Sequence, residues 1–104
     1  MKPRRSSDVM WRDEPAREAE ALRLIQEGED FSGVGVVTLA VEDEISQLNL
    51  VGAAIWRLCD GQHDIDQMVE RLRGRFDVPA VRLRGDVEAF VQSLAARGWL
   101  VEGE

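Results

Sequence analysis

The chain has 104 residues, 44% of them hydrophobic. A domain of that size buries about two thirds of its unfolded surface, which allows one modest core and little room for an enclosed active site. Twenty Asp and Glu against thirteen Lys and Arg leave a net charge of -7, a balance that repels nucleic acid over long range, and no stretch reaches the ~20 apolar residues of a membrane helix.

Residues 1–7 are polar and basic, and as an unanchored terminus they are expected to be flexible. Lys2, Arg4 and Arg5 resemble the start of an export signal, but Ser6, Ser7 and Asp8 stand where an apolar run is needed. Val9, Met10 and Trp11 read as a short first strand. Pro15 suits the first turn of a helix running to Gly28, with Asp13 or Glu14 as cap and Ala21, Leu22, Leu24 and Ile25 on its apolar side. Gly28 to Gly35 is a glycine-containing connector; Gly33 and Gly35 lack the third glycine and the flanking elements of a dinucleotide loop, so it reads as a bend.

The central stretch runs from Val36 to Gly61. Val37, Leu39 and Val41 alternate with Val36, Thr38 and Ala40, and the period of two resumes at Ile45 and Leu48 after a turn at Glu42-Asp43: a β-hairpin. From Asn49 the period changes, with Val51, Ala54, Ile55, Leu58 and Cys59 on one stripe of a helix that Asn49 caps and Gly61 ends. A second helix opens on the capping box Asp64 to Gln67, buries Ile65, Met68, Val69, Leu72 and Phe76, and breaks at Asp77-Val78-Pro79. A third spans Val81 to Arg97 with Val87, Phe90, Val91 and Leu94 inward. Gly98 ends it, and Trp99-Leu100-Val101 returns as an extended tail. The expected fold is a single α+β domain over residues 1–104, winged-helix-like. It has a small antiparallel sheet built from the hairpin and the short N-terminal strand, three C-terminal helices, and an inserted helix at 15–28.

The run from Leu48 to Gly61, L-N-x-V-G-A-A-I-W-x-L-C-D-G, resembles the signature of the PqqD family, small carriers of precursor peptides that radical enzymes later modify. Ile65, Met68, Val69 and Leu72, then Asp86, Val87, Phe90 and Leu94, then Gly98-Trp99-Leu100 repeat that family's pattern, so the resemblance covers roughly residues 36 to 101. It also looks like the branch associated with Geobacter-type radical SAM/SPASM maturation systems. The inserted helix departs from the family, where this region is often only a turn.

Candidate catalytic groups are few. Cys59, the only cysteine, excludes an intramolecular disulfide and makes a reduced cytoplasm the default. Cys59 and His63 are four apart, but a zinc site wants more ligands than one Cys and one His supply, so Cys59 reads as a small buried hydrophobe and His63 as a loop residue. Asp60, Asp64 and Asp66 read as turn and cap residues. No catalytic residue, metal ligand or cofactor is expected. Arg71, Arg73, Arg75, Arg82 and Arg84 form one basic stretch, either a solvated face or a docking patch for an acidic peptide or partner enzyme.

An edge strand offers unpaired amides and carbonyls to an added peptide strand. In the PqqD family the precursor's leader adds to the hairpin's second strand and lies against the third helix. By position, the resemblance implies Glu44, Ile45, Ser46, Gln47 and Leu48 on the strand, with Arg84, Val87, Glu88, Val91 and Gln92 on the helix. Gly52, Trp56, Asp60 and Gly61 are implied as scaffold, with Trp56 as a cover and Asp60-Gly61 as the helix stop. The expected function is a non-catalytic chaperone that presents the leader of a ribosomally made precursor to a radical SAM/SPASM enzyme. Nucleic acid and membrane are not expected partners, and the exposed edge permits a homodimer. The alternative is a winged-helix DNA-binding regulator or a general protein-interaction module. Replacing Ser46 with proline is expected to weaken leader binding if its amide faces the added strand.

Overall fold

The computed structural model describes residues 2–76 and 79–103. Its elements are β1 (Lys2–Arg5), β2 (Met10–Asp13), α1 (Pro15–Gln26), β3 (Val37–Val41), β4 (Glu44–Leu48), α2 (Leu50–Leu58), α3 (Ile65–Leu72), α4 (Ala80–Ala96) and β5 (Leu100–Gly103). The mixed α+β class is as expected. The chain divides into two compact units, Asp8–Ala53 and a second made of Met1–Ser7 with Ala54–Glu104.

The first unit holds an antiparallel sheet of order β2-β3-β4. Period-two patterning produces it: Val37 and Leu39 are fully buried on one face, while Thr38 and Ala40 on the other are half-buried. The hairpin turns on two residues, and Glu42, the first of them, has φ +53. A non-glycine residue pays roughly 1 kcal/mol or more for that conformation, so the hairpin closes without the turn chemistry that would favour it most. Helix α1 begins at Pro15, but Glu14 makes no side-chain cap. Its carboxylate is diverted to Thr38 and Arg12. The helix ends in a Schellman motif, Gly28 (φ +72) donating to the Ile25 carbonyl and Glu29 to that of Leu24. Only Ala21 of its apolar side is buried; Leu22 and Ile25 stay 48% and 39% exposed.

In the second unit the N-terminal residues, expected to be flexible, form β1 and pair antiparallel with β5, Lys2 opposite Gly103 and Arg5 opposite Leu100. Pro3 is fully buried there. This two-stranded sheet was not anticipated. Helix α2 stops at Leu58, and Gly61 beyond it is left-handed as expected, at φ +80. The pair Asp60-Gly61 also anchors β1: Asp60 bridges to Arg4, and Gly61 donates its amide to the Pro3 carbonyl. The Arg5 guanidinium donates to the carbonyls of Trp56 and Arg57 at 2.9 and 3.1 Å. Both carbonyls lie in the last turn of α2, and that of Trp56 also accepts from Cys59 N–H at 3.1 Å. Asn49 caps the other end as expected, its Oδ1 accepting from Gly52 N–H at 3.0 Å. Trp56 is fully buried and belongs to the core rather than covering it.

Helix α3 has the expected capping box, Asp64 accepting from Gln67 N–H and Gln67 from Asp64 N–H, both at 2.8 Å. It ends at Leu72 rather than at the proline, with Gly74 at φ +79 just beyond, so Phe76 lies outside it and is half-buried. The expected break at Asp77-Val78 falls outside the described residues. Helix α4 buries Leu83, Val87, Val91 and Leu94, with Phe90 half-buried, and closes in a second Schellman motif at Gly98.

Candidate peptide-binding edge

Among the described residues, β4 pairs only with β3 and is an edge of its sheet. Which of its amides face outward follows from the register. In a two-residue hairpin the closing pair exchanges both backbone hydrogen bonds, and such pairs then alternate. Val41 pairs with Glu44, so Leu39 with Ser46 and Val37 with Leu48 are the further bonded pairs. The far end agrees. Val36 N–H also donates to the Leu48 carbonyl, at 2.8 Å, making Val36 and Val37 a bulge opposite one residue, while the Val36 carbonyl turns the other way and accepts from Glu14 N–H at 2.8 Å. Glu44, Ser46 and Leu48 therefore direct their backbone groups toward β3. Ile45 and Gln47 direct theirs along the outer edge. Ser46, whose amide was considered for the peptide side, is committed to the hairpin.

Side chains divide in the other sense. Ser46 and Leu48 are half-buried on the face of Val37 and Leu39, with Glu44 exposed beside the turn. Ile45 and Gln47 stand on the opposite face. There Met10, Ala40 and Ile45 form one cross-strand row, and Arg12, Thr38 and Gln47 the next. Met10 is 74% and Ile45 65% exposed. The polar row is tied together: Gln47 Nε2 donates to Thr38 Oγ1 at 3.3 Å, Thr38 Oγ1 to Glu14 Oε2 at 2.8 Å, and Arg12 Nε to the same oxygen at 2.9 Å. The Thr38 hydroxyl, and then Arg12, hold the Glu14 carboxyl below its ordinary range. Gln47 also lies over Gly35, its Cδ 2.8 Å from where a Cβ there would sit. Met10 and Ala40 were absent from the sequence-derived site. Their only signal was two apolar residues on the polar phase of alternating strands.

The α4 candidates separate into two groups. Val87 and Val91 are buried and part of that helix's core stripe. Arg84, Glu88 and Gln92 follow one another at helical spacing on its more exposed side. Arg84 pairs with Asp66 of α3 and approaches Glu88 at 3.9 Å. Both β4 and α4 are described within their own units.

In the remaining basic stretch two arginines have contacts within their own segment. Arg73 meets Glu70 at 3.5 Å, and Arg75 lies over the Phe76 ring. Cys59 is fully buried, donates to the Ile55 carbonyl at 3.3 Å, and burial pushes its thiol up to about 12. A thiol so protonated is no nucleophile. His63 Nδ1 meets Asp60 Oδ1 at 2.9 Å. Desolvation raises the Asp60 pKa, but this contact and the Gln62 amide outweigh it and leave the carboxyl below its usual range. Among the described residues, no group of three or more His, Cys, Asp or Glu is placed to hold a metal ion, and no helix is long and apolar enough to cross a membrane.

Three comparisons relate the chain to known proteins. A solved structure of lasso peptide synthetase B1 complexed with the leader peptide has the same fold, with a TM-score of 0.69 over 97% of this chain and 99% of that one, at 17% identity. A "PqqA binding protein" from Methylococcus capsulatus is 36% identical over 56 residues, 54% of this chain and 58% of that relative. This chain thus matches little more than half the length of that relative. The family model for coenzyme PQQ synthesis protein D (PqqD) matches residues 35–100, a span that takes in β3, β4, all three C-terminal helices and the first residue of β5. The chain belongs to the PqqD family.

Proposed function

We propose that this protein is a non-catalytic chaperone: it captures the leader of a ribosomally synthesised precursor peptide by strand addition to β4 and presents it to a radical SAM/SPASM maturase in the cytoplasm. The observation that carries this reading is the edge itself, where the backbone groups of Ile45 and Gln47 face away from β3. An extended leader pairing there gains register from main-chain hydrogen bonds, and its alternate side chains fall on the two faces of the sheet. The name of the Methylococcus relative, and the leader peptide in the lasso synthetase structure, point the same way. The α4 positions Arg84, Glu88 and Gln92 are proposed as further contacts, with Val87 and Val91 supporting them from the core.

No acid, base or nucleophile is called for. Holding the leader makes a tethered substrate local to the enzyme and raises its effective concentration. Ordering a disordered leader consumes part of the contact energy, so modest affinity is expected. The same edge can pair with that of a second copy, in competition with the leader.

The test is a titration of labelled leader, taken from a short reading frame beside the gene, against the wild-type protein and Ile45→Pro. Proline at an outward-facing edge position removes a donor that only the guest uses. Binding weaker by about tenfold, from one lost hydrogen bond of roughly 1 kcal/mol and local misfit, is the expected result. Equal affinity in a folded variant overturns strand addition.

A further inference from the structure

We infer that the open face of the β2-β3-β4 sheet selects the captured segment by its side chains, accepting an apolar residue opposite Ile45 and a polar, hydrogen-bonding residue two positions away, opposite Gln47. This rests on the reading of β4 as the addition edge. Strand side chains alternate, and residues directly opposite one another on one face have Cβ atoms about 5 Å apart. Ile45 and Gln47 share a face and are the two positions whose backbone groups point outward. A strand added in either direction therefore sets one side chain beside each.

The two rows differ in chemistry. Met10, Ala40 and Ile45 are apolar throughout, yet Met10 and Ile45 are mostly exposed, and Ile45 follows three consecutive carboxylates, Glu42, Asp43 and Glu44. Small Ala40 between two long neighbours leaves a shallow depression, lined with Trp11, Arg12 and Thr38 as well. The row runs straight to the addition edge, so a guest side chain at that register continues it and covers Ile45. The neighbouring row is a hydrogen-bond chain from Arg12 through Glu14 and Thr38 to Gln47, and an apolar guest there would bury part of the Gln47 amide without a partner. The occupant is thus an extended segment patterned apolar, any residue, polar.

The experiment pans a display library of short randomised peptides on the wild-type protein and on Ile45→Lys. One wild-type binder is then scanned by backbone N-methylation, and sedimentation reports self-association. The expected result is enrichment of the apolar, any, polar pattern on the wild type. On Ile45→Lys the apolar position becomes Asp or Glu, and the wild-type binder weakens about fivefold or more. N-methylation that weakens binding at every second residue demonstrates strand addition independently of side chains. That periodicity with no change of preference on Ile45→Lys overturns the inference and leaves the capture reading intact. No enrichment, or no periodicity, removes both. A dimer that dissociates on Ile45→Lys assigns the row to a second copy and also overturns the inference.

Discussion

Proline substitution along β4 tests the register from which the outward amides were derived, and it needs no peptide. In Ser46→Pro the lost N–H belongs to the bonded pair with Leu39. A net hydrogen bond of about 1 kcal/mol disappears, a carbonyl on a buried strand is left short of a donor, and the ring disturbs the ladder, for a total of about 3 kcal/mol. In Ile45→Pro no hairpin bond is lost, and the replaced side chain is 65% exposed, so the cost is about 1 kcal/mol. A small domain has on the order of 5 kcal/mol in total, so the two variants differ visibly. Urea unfolding followed by fluorescence of the three tryptophans is the assay. A gap of about 2 kcal/mol separates the midpoints by about 1 M. Should Ile45→Pro prove as damaging as Ser46→Pro, or more so, the pairing is shifted by one residue and every assignment of outward groups on β4 reverses.

Two other outcomes follow from the second unit. Burial raises the Cys59 thiol from 9.0 to about 12, so the folded state holds its proton longer than the unfolded one. The associated stability is complete below about pH 9 and is lost as pH climbs toward about 12, with a ceiling of about 4 kcal/mol at roughly 1.4 kcal/mol per pH unit. The chain has no tyrosine and a single lysine, so Cys59→Ala should flatten most of this alkaline decline; denaturation midpoints of both proteins at about pH 8 and about pH 10.5 measure it. Arg5→Ala removes two charged hydrogen bonds to the end of α2 and should cost about 2 kcal/mol, or about 10 °C in Tm. Arg5→Lys should recover only part, because an ammonium does not reproduce the guanidinium fork.

What could be read from the sequence was what repeats locally. The hairpin, the three C-terminal helices, the Asp64 to Gln67 box and the Gly98 stop each carry a signal within a few residues. β1 was invisible because Lys2-Pro3-Arg4-Arg5 has no apolar period, and its partner, β5, lies at the other end of the chain. A second role of Asp60-Gly61 was hidden for the same reason: a helix stop is a local inference, whereas the amide of Gly61 answers to Pro3. Glu14 fits a cap by position, yet the hydroxyl of Thr38 competes for it across the sheet. For the candidate site, the strand itself was identifiable but the direction of its amides was not, since that depends on the turn length and on the bulge at Val36-Val37. The apolar row needed the register too, for Met10, Ala40 and Ile45 are neighbours only once three strands are aligned.

Lys2 faces Gly103 directly across an antiparallel pair, where Cα atoms are about 5 Å apart. A polypeptide carrying this module in the middle of its length would enter and leave at nearly the same point, so the module could be grafted into a surface loop of a larger protein without prising that host open. The same adjacency invites cyclisation through a short joint, a route to a rearranged chain whose new ends open elsewhere.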